Sequence, residues 1–261
     1  MKRQRLNWQE KVRKNVRKIM DFEHVKAVFE EYLNGYDREN DKVKLKIVHT
    51  YGVIRCSEEI GRRMGLQAED MELAKLIALL HDIGRFEQLK RFNSFEADTM
   101  DHATYGVKVL FEEGMIRQFI EEDTWDDVIR TAIAKHSDYE LTGITDERTL
   151  LHARLIRDAD KLDNCRVKLE DAMETLLDLS ADEVGKYAIS PKVREDAFAG
   201  KCICSKDRRT PMDYWVSYVA YFYDLNFRET LDIVAEEQYV KRIIGRVPYT
   251  NEQTKKTMEE L

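Results

Sequence analysis

Apolar residues recur along this chain at three- and four-residue intervals rather than in alternation, the period of amphipathic helices. Val25, Val28, Phe29 and Tyr32 form one stripe that closes near Asn34-Gly35. The spacing predicts a second helix over about Asp41–Met64, stopped by Gly65, and a third over about Ala68–Asp82, stopped by Gly84. Between Phe86 and Asp101 the period is lost, so this stretch reads as a loop with room for one short helix. Further helices are predicted at about His102–Glu113, Thr124–His136, Asp146–Asp163 and Val167–Leu179. Pro191 and Pro211 stand where two more would begin, since the fixed φ of proline suits a first helical turn. Beyond Met212 the density of Tyr214, Trp215, Tyr218, Tyr221, Phe222 and Tyr223 predicts helices packed on the main bundle as core. No repeat or linker interrupts the pattern, so residues 1–261 are expected to form a single all-α domain.

Composition sharpens this picture. Only 3 prolines and 11 glycines punctuate 261 residues, which favours long helices and short connections. With 43% hydrophobic and 36% charged residues the chain is apolar enough for a packed core. No apolar run approaches the ~20 residues of a membrane span. No secretory leader precedes Cys56, Cys165, Cys202 and Cys204, so reduced thiols and a cytoplasmic location are expected. The first twenty residues hold eight basic residues and one acid, read here as a solvated helix face. A net charge of −7 argues against a nucleic-acid partner. An anionic small-molecule substrate would need local positive charge, such as metal ions.

The chemistry lies on the apolar stripes. His49 shares a face with Leu45, Val48, Gly52, Cys56 and Ile60, and His81 with Leu73, Leu76, Ile77 and Leu80. His102 leads the stripe Tyr105, Gly106, Val109 and Leu110, while His136 ends the stripe Trp125, Val128, Ile129, Ala132 and Ile133. Asp160 follows His152, Leu155, Ile156 and Ala159 and precedes Asp163. One histidine on an apolar face is ordinarily a satisfied core residue. Several imidazoles and carboxylates directed inward from different helices are costly unless they are paired or bound to metal. Neutral imidazole and carboxylate suit divalent Fe, Mn, Ni, Co or Zn. His24 lies off its stripe and is expected at the surface. His152, eight residues before Asp160, is about 12 Å away along the axis and reads as core or outer support rather than ligand.

The succession His49, His81-Asp82 and Asp160, with "LIALLHDIGR" and "LIRDADKLDN" around its parts, resembles the HD-domain metal-dependent phosphohydrolases. The "ADKL" string resembles the segment carrying that family's last ligand, which selects Asp160 over Asp158. His102 in "HATYGVKVL" and His136 in "AIAKHSD" resemble the two additional histidines of two-metal members. The resemblance spans roughly residues 43–165 and leaves a C-terminal helical extension at about 190–261. It implies one ion held by His49, His81, Asp82 and Asp160, and a second held by His102 and His136 with Asp82 bridging. His136-Ser137-Asp138 lacks the Gly-Tyr-Pro continuation of the cyclic-di-GMP phosphodiesterases.

The implied reaction is hydrolysis of a phosphate ester or anhydride of a nucleotide or small phosphorylated metabolite. Metal-activated hydroxide would attack phosphorus. Asp82 and Lys161 are the expected catalytic residues, and Arg85, Lys135 and Lys161 the expected phosphate contacts. The same ligands resemble those of HD-fold diiron oxygenases, and a catalytically silent nucleotide-binding module is a third alternative.

Overall fold

A computed structural model describes residues 20–96 and 98–261; the basic opening lies outside them. Every regular element among the described residues is helical. The N-terminal part contains α1 (Phe22–Leu33), α2 (Asp41–Met64), α3 (Ala68–Leu80), α4 (Ile83–Phe92), α5 (His102–Val107), α6 (Ile116–Phe119), α7 (Asp126–Lys135) and α8 (Glu147–Glu170). Seven shorter helices follow: α9 (Met173–Leu177), α10 (Ala181–Val184), α11 (Pro191–Phe198), α12 (Pro211–Ala220), α13 (Arg228–Glu236), α14 (Tyr239–Ile244) and α15 (Glu252–Glu260). Among the described residues no helix is long and apolar enough to cross a membrane.

The two longest helices, α2 and α8, pack against each other, with α3 against α2 and α7 against α8. In α3, Leu73, Leu76, Ile77, Leu79 and Leu80 are all buried, so the C-terminal half of this helix sits in the core, while Glu69, Asp70 and Glu72 keep its first turns polar. Each such apolar side chain contributes about 1.5–3 kcal/mol by leaving water. A second apolar cluster gathers Trp215, Val216, Met212, Val193 and Ile243 from the C-terminal helices, and Phe222, Tyr239 and Val240 pack against both clusters.

Local signals explain most boundaries. Gly65, at φ 71°, ends α2 in the left-handed conformation that glycine adopts freely. Pro191 and Pro211 open α11 and α12, and Thr210 with Asp213 closes a capping box on the latter.

Four boundaries differ from the sequence expectation. Helix α3 stops at Leu80, not Asp82, and the loop expected from Phe86 begins instead as α4. Gly84 therefore terminates nothing. A Cβ there would lie 2.2 Å from the His102 carbonyl oxygen, so its bareness lets α4 touch the start of α5. The expected break between Asp163 and Val167 is absent, because α8 runs on to Glu170. The helix from His102 keeps α geometry only to Val107 and then widens into a π turn, Lys108–Glu112.

Candidate metal centre

The helix break at His81-Asp82 shapes the site. His81 caps the end of α3 in helical conformation, whereas Asp82 turns to φ −105°, ψ 18° and starts α4. The two side chains thus leave from a junction, not from neighbouring positions on one continuous helix. The close approach of Gly84 to α5 carries His102 to the same place, its Nε2 lying 3.2 Å from Asp82 Oδ1. His136, capping the end of α7, puts its Nε2 3.6 Å from that oxygen. His49 comes from mid-α2 and Asp160 from mid-α8, and they meet at 2.9 Å.

The four imidazoles form a row, His49, His81, His136 and His102, with successive ring centroids 5.7, 5.2 and 5.1 Å apart. Two overlapping donor groups result: His49, His81 and Asp160 at one end, and His81, Asp82 and His136 at the other, with His102 beside the second. The resemblance implied Asp82 with the first group and as a bridge. Here His81 is common to both groups, while Asp82 Oδ2 lies 2.6 Å from the ammonium of Lys46.

Lone pairs converge on this row. The Nδ1–H of His81 donates to the Ala78 carbonyl at 2.7 Å, and that of His136 donates to Ile133 at the same distance. The Nδ1–H of His49 donates to Asp163 Oδ2 at 2.8 Å. In the rings of His81 and His136 the inward Nε2 is left as an acceptor, while that of His49 lies 2.9 Å from Asp160 Oδ1. That of His81 is buried and has no hydrogen-bond partner. Those of His102 and His136 face each other at 3.1 Å, with one guanidinium N–H of Arg85 donating to His102 at 2.9 Å. An arrangement so rich in buried acceptors is stabilised by a cation, and the nitrogen and carboxylate donors fit a divalent transition-metal ion.

Electrostatics set the protonation states that ligation needs. Burial pushes His81 down to about 4. Burial, then the charge of Arg85, pushes His102 down to about 3. For Asp82, burial acts upward, but Lys46, His81 and Arg85 together hold the carboxyl well below its usual range. Asp160 is likewise held low against burial by its hydrogen bond to His49 and by the charges of His49, His81 and Lys46. His81 and His102 are thereby held neutral, and Asp82 and Asp160 ionised.

Beside the row opens a cleft of about 630 Å³ lined by Asp82, Arg85, His102, His136, Asp160 and Lys161. Lys161 donates to Asp224 Oδ2 at 2.5 Å, and Arg157 reaches the same oxygen at 2.5 Å. Lys135 is not part of the lining; its ammonium is 3.4 Å from Asp138. His24 is exposed, and His152 is buried against Asp70 at 3.0 Å. Asp158 faces away from the row and accepts from Asn226, Phe227 and Thr230. The aromatic segment is only partly core. Trp215 is fully buried, whereas Tyr214, Tyr218 and Tyr221 line the cleft.

Sequence reading missed Lys46, Lys168 and Asn164 as site residues. Lys46 lies one turn before His49 on the same helix, a visible signal. Asn164, one turn after Asp160, donates to Asp160 Oδ1 at 2.9 Å. Asp163 was visible on the stripe, and its support of His49 depends on Gly52, where a Cβ would fall 1.9 Å from its Oδ1.

Residues 47–165 match the HD domain family. This segment is an HD domain. Ribonuclease Y of Acetivibrio thermocellus is 30% identical over 165 residues, covering 60% of this chain and 27% of the relative. The chain therefore spans little more than a quarter of that relative's length. No solved structure matches the chain significantly. The HD segment carries the histidine–aspartate row and all six expected ligands. The cleft wall of Cys202, Ile203, Cys204, Arg208, Tyr214, Tyr218, Tyr221 and Asp224 comes from beyond it.

Proposed function

We propose that this protein is a metal-dependent phosphohydrolase acting on a phosphate ester or anhydride of a nucleotide or small phosphorylated metabolite. One observation carries the reading: the inward Nε2 atoms of four histidines converge with the carboxylates of Asp82 and Asp160 at the edge of an open cleft. Divalent ions held by His49, His81, Asp82, His102, His136 and Asp160 would supply Lewis-acid activation of water and of phosphoryl oxygens.

The protein's own part is orientation and charge. Asp163 and the carbonyls of Ala78 and Ile133 fix three rings with Nε2 inward, the support that ligating histidines need. Lys46 and Arg85 stand at the cleft edge of Asp82, where they can bind phosphoryl oxygens and offset developing negative charge. Lys161 is placed for the same role once its contact with Asp224 opens. The cleft volume falls in the range of small-molecule sites, about 300–1,000 Å³. A second reading, phosphodiester cleavage in RNA, draws on the similarity to ribonuclease Y.

The test is a panel of nucleotides, sugar phosphates and a short RNA, each assayed with Mn, Ni, Co, Mg and anaerobic Fe(II). Metal-dependent phosphate release from small substrates supports the proposal. Cleavage of RNA alone supports the second reading. Oxygen uptake with an organic substrate and no phosphate release would replace both with oxygenase chemistry.

A further inference from the structure

Lys168 lies on α8, eight residues beyond Asp160, and lines the same cleft. The residue is 7% exposed, yet its ammonium has no carboxylate in ion-pair range among the described residues. Its close polar neighbour is the face of Tyr218, with the ammonium 4.1 Å from the ring centroid. A buried lysine without a counter-ion is costly, and a protein core gains nothing from it that methionine would not give. Lys46 and Lys161, which also line the cleft, are committed to Asp82 and Asp224. The cleft thus holds a cation whose partner the protein does not supply.

We propose that Lys168, lying over the ring of Tyr218 in the cleft wall, is a second anion subsite, so that the substrate carries two phosphate groups. One would sit at the histidine–aspartate row and the other against Lys168. The inference rests on the phosphohydrolase reading and narrows its substrate class. Eight helical residues separate the Cα atoms of Asp160 and Lys168 by about 12 Å along the axis. Lysine leans back towards the helix N-terminus and closes part of that span. The remaining distance suits two phosphates separated by a sugar or another linker better than a directly joined pyrophosphate.

Electrostatics agree with a site awaiting an anion. Burial first, then the charge of Lys46, lowers Lys168 to about 7, opposed by Asp160 and Cys165 of its own helix and by Asp171. Tyr218 of α12 and Lys46 of α2 face it from the other elements. An incoming phosphate would supply the charge partner that none of these provides.

Alkylene diphosphonates of increasing chain length test the subsite without turnover, because their C–P bonds are not cleaved by phosphate-ester hydrolysis. Their binding to the manganese-loaded full chain is compared with that of methylphosphonate by calorimetry, with metal content checked after each titration. The wild-type protein should bind one of the longer diphosphonates at least about tenfold more tightly than methylphosphonate, the scale of one charge-assisted contact. Lys168→Met should erase that gain, leave methylphosphonate affinity and metal content unchanged, and raise Tm by removing an unpaired buried charge. No gain for any diphosphonate in wild-type protein would overturn the subsite, as would a gain that survives Lys168→Met. A lower Tm in the variant would also count against it, since a structural lysine would behave that way. If the subsite binds as described while the substrate panel releases no phosphate, only the hydrolase reading fails. Phosphate release without a diphosphonate preference has the reverse meaning.

Discussion

Replacing Gly52 by alanine sets helix propensity against the architecture of the centre. Gly52 lies in the interior of α2, one turn after His49. On propensity alone the change should stabilise the helix by about 0.8–1.0 kcal/mol. The structure predicts the opposite. A Cβ at this position would fall 1.9, 2.3 and 2.6 Å from Oδ1, Cγ and Oδ2 of Asp163. That carboxylate is short, buried and held on both oxygens, by Arg166 at 2.9 Å twice and by His49 at 2.8 Å. It cannot swing aside without breaking those bonds. Overpacking and the loss of a charge-assisted hydrogen bond outweigh the propensity gain, for a net loss of roughly 2–4 kcal/mol. With His49 no longer oriented, metal affinity should fall about 10–100-fold. Urea unfolding of the metal-free protein reads the first effect, and competition with a chromophoric chelator reads the second. Gly61→Ala serves as control, because a Cβ there meets chiefly the movable tips of Met71 and Leu66. A Gly52→Ala protein that is as stable as wild type and binds metal equally well would refute the argument.

Elemental analysis of protein purified without chelator should approach two transition-metal ions per chain, and the His102→Ala/His136→Ala double variant should retain at most one; unchanged content would remove both histidines from the centre. Asp82→Asn should weaken metal binding and reduce phosphatase activity to near background, since the charge facing His102, His136 and Lys46 is gone. Lys161→Ala should keep its metal and lose about 10²–10³ in turnover if the ammonium stabilises charge on the substrate; near-normal turnover would leave it only the contact with Asp224. The metal-free protein should become less stable as pH falls from about 6.5 towards 4, because His81 is neutral when folded and the unfolded chain binds more protons in that window. At pH 5 the loss is on the order of 2 kcal/mol for that imidazole, and denaturant midpoints at pH 7 and 5 that coincide would contradict it.

What the sequence could and could not show follows from the range of the forces involved. Helical periodicity is local, so the stripes that carry His49, His81, His102, His136 and Asp160 were legible. The choice of Asp160 over Asp158 came instead from the resemblance of the "ADKL" string, and the structure turns Asp158 towards Asn226, Phe227 and Thr230. The break between His81 and Asp82 was not, because apolar spacing continues through it. It becomes necessary only when α4 must turn against α5, and Gly84 signals that contact no differently from a helix terminator. The aromatic segment was equally ambiguous. Trp215 and Tyr218 lie three residues apart on one helix, yet one fills the core and the other faces the cleft. Lys168 was invisible for a related reason: a lysine near the end of a long helix normally reads as solvated. Its significance depends on α12 covering it while leaving its charge unmatched. The residues that gather at the histidine–aspartate row can therefore be read from short strings. Selectivity, if it lies with Lys168 and the tyrosine wall, is built by helices beyond residue 165, where the family match ends. Exchanging those cleft-facing residues should change which phosphorylated molecule is accepted while leaving metal content untouched. A substrate preference that follows only residues 47–165 would show that the wall encloses the cleft without selecting what enters it.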